Sequence, residues 1–346
     1  TLTGLERDSI QSAEAFDRVL RGHADNPAFY LMQASFDLKR HRLAEAKAAL
    51  EQLVFLRQDP KYQVLQADVD VQEGRYRQAE AAYRQLIERK PEWDLLARLA
   101  YLRWKQGDFD GADRLYAQTE DLISAKDMRA YAWVELQRGL MALSRGRNDA
   151  AWAHYQRADR AYSGYWLVHD YMAEWFGAQR NFDAAIEQYR KLAICSPRPE
   201  FYQALGDLYL YIGKPALAEP WHDRALAAYL ASARRGETQY YHHLATFYAD
   251  SRMDGPEAVK WAKKDSLLRS NVMTQDALAW ALYRNGQYAE ALEESKKATA
   301  GNWQDAHLYF HAAMIHMAAG QTQAGKAYLQ KASAINASYG SFHVHR

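Results

Sequence analysis

Small residues recur in pairs along this chain, set among apolar positions at helical spacing. The first members of the pairs are Ala34, Ala67, Ala100, Gly139, Ala173, Gly206, Ala245, Ala279 and Ala313. The second members are Ala46, Ala79, Ala112, Ala151, Ala185, Ala218, Ala258, Ala291 and Gly325. Eight of the nine pairs are separated by twelve residues and Ala245/Ala258 by thirteen, and successive pairs mostly lie 33 or 34 residues apart. The pattern predicts two short helices per unit, close enough at the small residues that bulk there would push their axes apart. Glycine marks several of the turns between them (Gly74, Gly107, Gly146, Gly213, Gly286, Gly320), because it tolerates the left-handed conformation that ends a helix.

Other positions carry the same period. An aromatic follows the turn at Tyr76, Phe109, Phe182 and Tyr288, placed to plug the gap between helix ends. Four residues after the second small site comes Tyr83, Tyr116, Tyr155 or Tyr189, on the same helical face. Pro60, Pro91 and Pro197 stop the second helix before the next unit starts. Leu5, Ile10, Ala13, Phe16 and Leu20 read as one further amphipathic helix. The expected organisation is therefore an all-α chain: an N-terminal helix or partial repeat over 1–26, about nine helix-pair repeats over 27–338, and a short tail over 339–346. Such an N-terminal helix would cap the exposed hydrophobic end of the array.

Three irregularities interrupt the period. The connections from Thr119 to Gly139 and from Ala225 to Ala245 are each about five residues longer than their equivalents, or ~7.5 Å if added to a helix. They are read either as drift in a tolerant loop or as extended second helices. The third is Asp254-Gly255-Pro256, read as a turn with one extra residue.

The Leu-Gly, Tyr, Gly, Ala, Ala, Pro pattern of a 34-residue helix–turn–helix resembles the tetratricopeptide repeat, most clearly over residues 199–232. The resemblance covers nearly the whole chain and implies a right-handed superhelical solenoid whose first helices line a concave, ligand-binding face. Carried onto this sequence, it implies a lining of Tyr101 and Trp104, then Trp133, then Asp170 and Glu174, then Asp207 and Tyr211, and finally Asp276, Trp280 and Tyr283. Such a groove, aromatic and acidic, suits a peptide with apolar anchors and some basic residues. Trp280 is expected to serve binding more than folding. Chaperone-binding members of the family clamp a terminal carboxylate with Lys and Asn; the matching positions here are mostly acidic, apolar or aromatic. The resemblance thus implies a non-enzymatic scaffold for a protein or peptide partner. The alternative is a targeting or regulatory arm of a larger enzyme or envelope assembly whose other domain lies upstream of Thr1.

Composition adjusts this picture only slightly. With 44 Lys+Arg against 43 Asp+Glu, no basic excess favours nucleic acid or anionic membrane, so neither is expected as a partner. Cys195 is the only cysteine, which rules out an internal disulfide. The chain opens on Thr1 rather than Met, which places an exported location slightly ahead of a cytoplasmic one. His307 and His311 share a helical face and form a weak metal candidate, with Asp305 a weak third ligand and His242-His243 a similar pair, but nothing nearby completes a recognisable set, and no cofactor or metal is expected. No phosphate-binding glycine loop, zinc-protease motif or nucleophile elbow occurs, so no catalytic residue is assigned.

Overall fold

The computed structural model describes residues 26–340. The helix read over 5–21 and most of the 339–346 tail lie outside the described residues. Within them the chain forms nine helix pairs and no strand. The pairs are α1 (Pro27–Lys39) with α2 (Leu43–Glu51), α3 (Pro60–Gln72) with α4 (Tyr76–Arg89), and α5 (Trp93–Lys105) with α6 (Phe109–Leu122). Next come α7 (Met128–Ser144) with α8 (Asn148–Ala161), α9 (Trp166–Ala178) with α10 (Phe182–Cys195), and α11 (Pro199–Tyr211) with α12 (Pro215–Arg234). The last three are α13 (Tyr241–Thr246) with α14 (Gly255–Ser266), α15 (Val272–Arg284) with α16 (Tyr288–Thr299), and α17 (Ala306–Ala318) with α18 (Thr322–Ile335).

One hydrogen bond recurs at the turns and explains their uniformity. An amide after the turn donates to the carbonyl five residues back, closing the first helix in the Schellman manner. The bonds Arg75 to Asp70, Asp108 to Arg103, Arg147 to Ala142, Lys214 to Tyr209 and Gln287 to Leu282 measure 2.8–2.9 Å. In repeat seven the equivalent bond runs from Asp254 to Tyr248, six residues back. The extra residue of that repeat is absorbed before the turn, where Phe247–Ser251 form a π-helical segment continuing α13. A single inserted residue in an α-helix produces this kind of π-bulge.

Small residues sit where large rings need room. A Cβ on Gly139 would lie 2.3 Å from Tyr155 Cε1. In repeat six the tyrosine position is taken by His222, whose ring would meet a Cβ on Gly206 at 2.0 Å. Tyr83, Tyr116, Tyr155 and Tyr189 are all fully buried.

The array winds back on itself. The turns of the first four repeats rest on the connections that follow repeats six to nine. Thr238 Oγ1 donates to the Arg40 carbonyl at 2.8 Å, and Arg269 donates to His41 Nδ1 at 3.0 Å. The Ser270 amide donates to the Gln72 carbonyl at 3.2 Å and the Gln304 amide to the Lys105 carbonyl at 2.6 Å. Tyr76 packs on Trp303 with ring centroids 4.6 Å apart and accepts the Val272 amide at 3.0 Å. Lys105 Nζ pairs with Asp305 at 3.1 Å. Burial alone would raise the Asp305 carboxyl, but Lys105 holds it well below the carboxylate range. The longer connection after repeat six serves this seam: α12 is extended to twenty residues, and the corner beyond it carries Glu237 and Thr238 to Arg40. The other long connection does not extend a second helix. There α6 keeps fourteen residues and the added length goes to a turn and to the longer α7, seventeen residues.

Candidate functional site

The first helices of the opening repeats do not fill the space they surround. They leave a cavity of about 810 Å³. Trp93, Asp94, Arg98 and Tyr101 enter it from α5, Asp68 from α3, Arg129, Trp133 and Gln137 from α7, and Lys39 from α1, with Tyr165 closing one side. A volume of this order holds a small molecule or a few peptide side chains.

Its electrostatics are balanced. Arg98 bridges two carboxylates, with Nε 2.9 Å from Asp68 Oδ1 and Nη1 3.0 Å from Asp94 Oδ2. Burial opposes the guanidinium charge, but Asp68 beside it more than restores it. Arg129 is exposed and stands 5.6 Å from the Tyr165 ring centroid. Among the described residues neither Arg129 nor Lys39 has a carboxylate partner. Asp127, at the rim, accepts the Ala130 amide at 3.2 Å and so caps α7. Three cations thus face three carboxylates. His41 adds no charge: burial and the adjacent Arg269 push its imidazole down to about 3.

The residues expected on the concave face separate into different environments. Tyr101 and Trp133 line the cavity. Trp104, on the same helix as Tyr101, is turned into the core, edge-on to Tyr101 at 5.8 Å. Asp170 and Glu174 are buried, and the Asp170 carbonyl accepts the Tyr189 hydroxyl at 3.3 Å. Asp207 is occupied internally, 2.8 Å from both His222 Nε2 and Ser251 Oγ. Tyr211 is exposed at the turn of repeat six, against Phe182 at 5.3 Å.

In repeat eight the expected lining has closed into a stack. Trp280 is buried, lying 4.1 Å from the His311 ring and 4.9 Å from Tyr283. Its Nε1 donates to Asp250 at 3.0 Å, and His311 Nδ1 sits 2.9 Å from Asp276. Burial disfavours a charged imidazole there, but Asp276 outweighs it and raises His311 above its usual value. Trp280, expected to serve binding more than folding, is placed in the core rather than on an open wall. A buried ring stacked on two neighbours with its N–H satisfied is core. Asp250, which accepts the Trp280 N–H, comes from the π-helical segment.

Sequence reasoning missed Trp93, Arg129 and Tyr165, because the implied lining positions reckon only from the small residues of a regular repeat. Tyr165 precedes α9, and Arg129 belongs to the extra turn that begins α7. The unequal connection before Gly139 was the available signal. Among the described residues no group of three or more His, Cys, Asp and Glu side chains could hold a metal ion. No described helix is long and apolar enough to cross a membrane.

Residues 306–339, the last helix pair, match the tetratricopeptide repeat profile. Residues 60–164 match the profile of the TT21 fifth ARM repeats domain, another stacked-helix array. No curated protein matches the chain. Among solved structures, the human IFIT1 dimer with PPP-AAAA is 12% identical, with a TM-score of 0.51, over 92% of this chain and 76% of that one. The same human dimer with m7Gppp-AAAA gives 12% and 0.51 over 94% and 77%. A tetratricopeptide repeat protein from Parabacteroides merdae is 17% identical over 70% of this chain and 93% of that one, with a TM-score of 0.41. Most of the other helix pairs share the turn bond and the small-residue spacing of the matched one, so the described residues form an all-α solenoid of stacked helix pairs, the last of which matches the tetratricopeptide repeat.

Proposed function

We propose that this chain binds an extended peptide segment of a protein partner in the cavity between the first helices of repeats one to four. The observation that carries this reading is the 810 Å³ cavity with Trp93, Tyr101, Trp133 and Tyr165 on its walls and equal numbers of cations and carboxylates among them. Aromatic walls supply anchor pockets for apolar side chains, and the fixed charges set register and direction. The IFIT1 structures hold triphosphate or capped RNA. A site for a triphosphate needs a clear excess of cations, whereas here Asp68, Asp94 and Asp127 offset Lys39, Arg98 and Arg129. That balance favours peptide.

The test is a displayed random-peptide library selected on the wild type and on Gln137→Trp/Arg129→Glu. This double variant narrows the cavity and reverses one rim charge. Peptides of a common pattern retained by the wild type, and at least tenfold weaker on the variant, support the proposal. Equal retention by both proteins refutes it. A triphosphorylated RNA tetranucleotide is measured alongside, and its tight binding in place of peptide would turn the reading to nucleic acid.

A further inference from the structure

A second cavity, of about 480 Å³, lies where the turns of repeats three and four meet the last helix pair across the seam. Arg145 and Arg147 reach it from the turn of repeat four, Lys331 from α18 on the opposite side, and Phe109, Gln304 and Ile335 complete its walls. Three cations line it and no carboxylate does, although the whole chain carries a net charge of only +1. Among the described residues no ion pair engages any of the three. The Arg145 guanidinium lies over Phe109, 4.1 Å from the ring centroid, and Lys331 over Tyr328 at 5.0 Å, so both cations are placed without a carboxylate in ion-pair contact. Burial and the like charge of Arg147 depress the Arg145 pKa, against a weaker opposing pull from Asp110. Positive charges gathered in this way repel one another until an anion arrives.

We propose that this cavity binds a small phosphate-bearing anion, and that the bound anion holds the seam shut by bridging the turn of repeat four to the last helix. Guanidinium forks match phosphate oxygens two at a time, and an ammonium adds a point charge from the far side. The volume suits a phosphate with a small organic body rather than a polymer. The site shares no residue with the peptide cavity, so each proposal stands or falls alone.

Binding of inorganic phosphate and of glycerol 3-phosphate to the full chain is measured by calorimetry, at ionic strength held constant with sodium chloride. The expected result is saturable binding by the wild type and at least tenfold weaker binding by Arg147→Gln/Lys331→Gln. The charge-keeping variant Arg147→Lys/Lys331→Arg is expected to retain it. Because Arg147 and Lys331 are both exposed, these variants fold, as a circular dichroism melt will show. Preference for glycerol 3-phosphate assigns the site to a phosphate ester, and preference for phosphate assigns it to the free ion. Exchange of the Gln304 amide, which donates across the seam, is expected to slow on binding in the wild type alone. Absence of saturable binding, or equal binding by the neutralised variant, overturns the proposal. Unchanged Gln304 exchange in the bound wild type removes the bridging role.

Discussion

The two ends of this superhelix carry similarly aromatic inner faces and use them differently. In repeats two to four, Trp93, Tyr101 and Trp133 surround open space. In repeats seven to nine, Tyr283 and His311 both stack on the buried Trp280. The difference comes from what the neighbouring element supplies. Asp250, delivered by a π-helical turn, accepts the Trp280 N–H, and Asp276 holds His311 Nδ1 while the imidazole lies flat on the indole. The lengthened α7 brings Arg129 to the cavity rim and no group that would close the space. An inner-face aromatic is thus a cavity wall or a core residue according to whether its polar edge finds an internal partner.

The strongest challenge to this contrast is a pair of truncations. Trp280→Ala should cost about 3–5 kcal/mol, the range for removing a buried aromatic. Trp133→Ala, at a half-buried position, should cost roughly half that. Urea denaturation of both variants measures the two losses, and equal values would dissolve the contrast.

A smaller effect is expected where the C-terminal core begins. Gly206→Leu places side-chain atoms inside the His222 ring, which is held by Asp207 and lies edge-on to Phe247 at 5.4 Å. Overpacking of this kind costs ~1–3 kcal/mol. A denaturation midpoint equal to the wild type would mean that repeat six packs more loosely than the structure has it.

The subtlest effects are in pH, and the two ends should respond oppositely. His41, at the seam, has its pKa lowered to about 3 from 6.5 by burial and Arg269, against a pull from Asp265, with His242 and His243 also nearby. The unfolded chain therefore takes up a proton below pH 6.5 that the folded chain refuses. The contribution of His41 is fully present above that pH and is lost as pH falls toward 3. His311 is raised, so its contribution is present below 6.5 and is lost as pH climbs through the folded value. Stability measured from pH 4 to 9 should lose slope on the acid side in His41→Gln and on the neutral-to-alkaline side in His311→Gln. The same change of profile in both variants would refute the assignment.

Much of the fold was readable because the constraint is local and repeated. The small-residue pairs, the turn glycines and the tyrosines locate helix pairs without reference to anything distant. Even the thirteen-residue spacing of Ala245 and Ala258 announced an insertion, though not that a π-bulge before the turn would absorb it. The lining of the candidate cavity was readable only in part. Tyr101 and Trp133 were found by their place in the repeat. Trp104, Asp170 and Glu174 satisfied the same rule and are buried, because the rule gives a face of a helix and not the distance to whatever stands opposite. Arg129 and Tyr165 fall outside the rule because the helices that bring them depart from the regular unit.

By itself, then, the sequence determined the helix pairs, their turns and the close approach within each, since those depend on residues at most a few helical turns apart. Tertiary structure alone decided that the array closes on itself, so that Lys105 meets Asp305 and Arg147 faces Lys331 across about two hundred residues of chain. That outcome sums small rotations between successive repeats, each set by packing that no local pattern encodes, and both cavities follow from the sum.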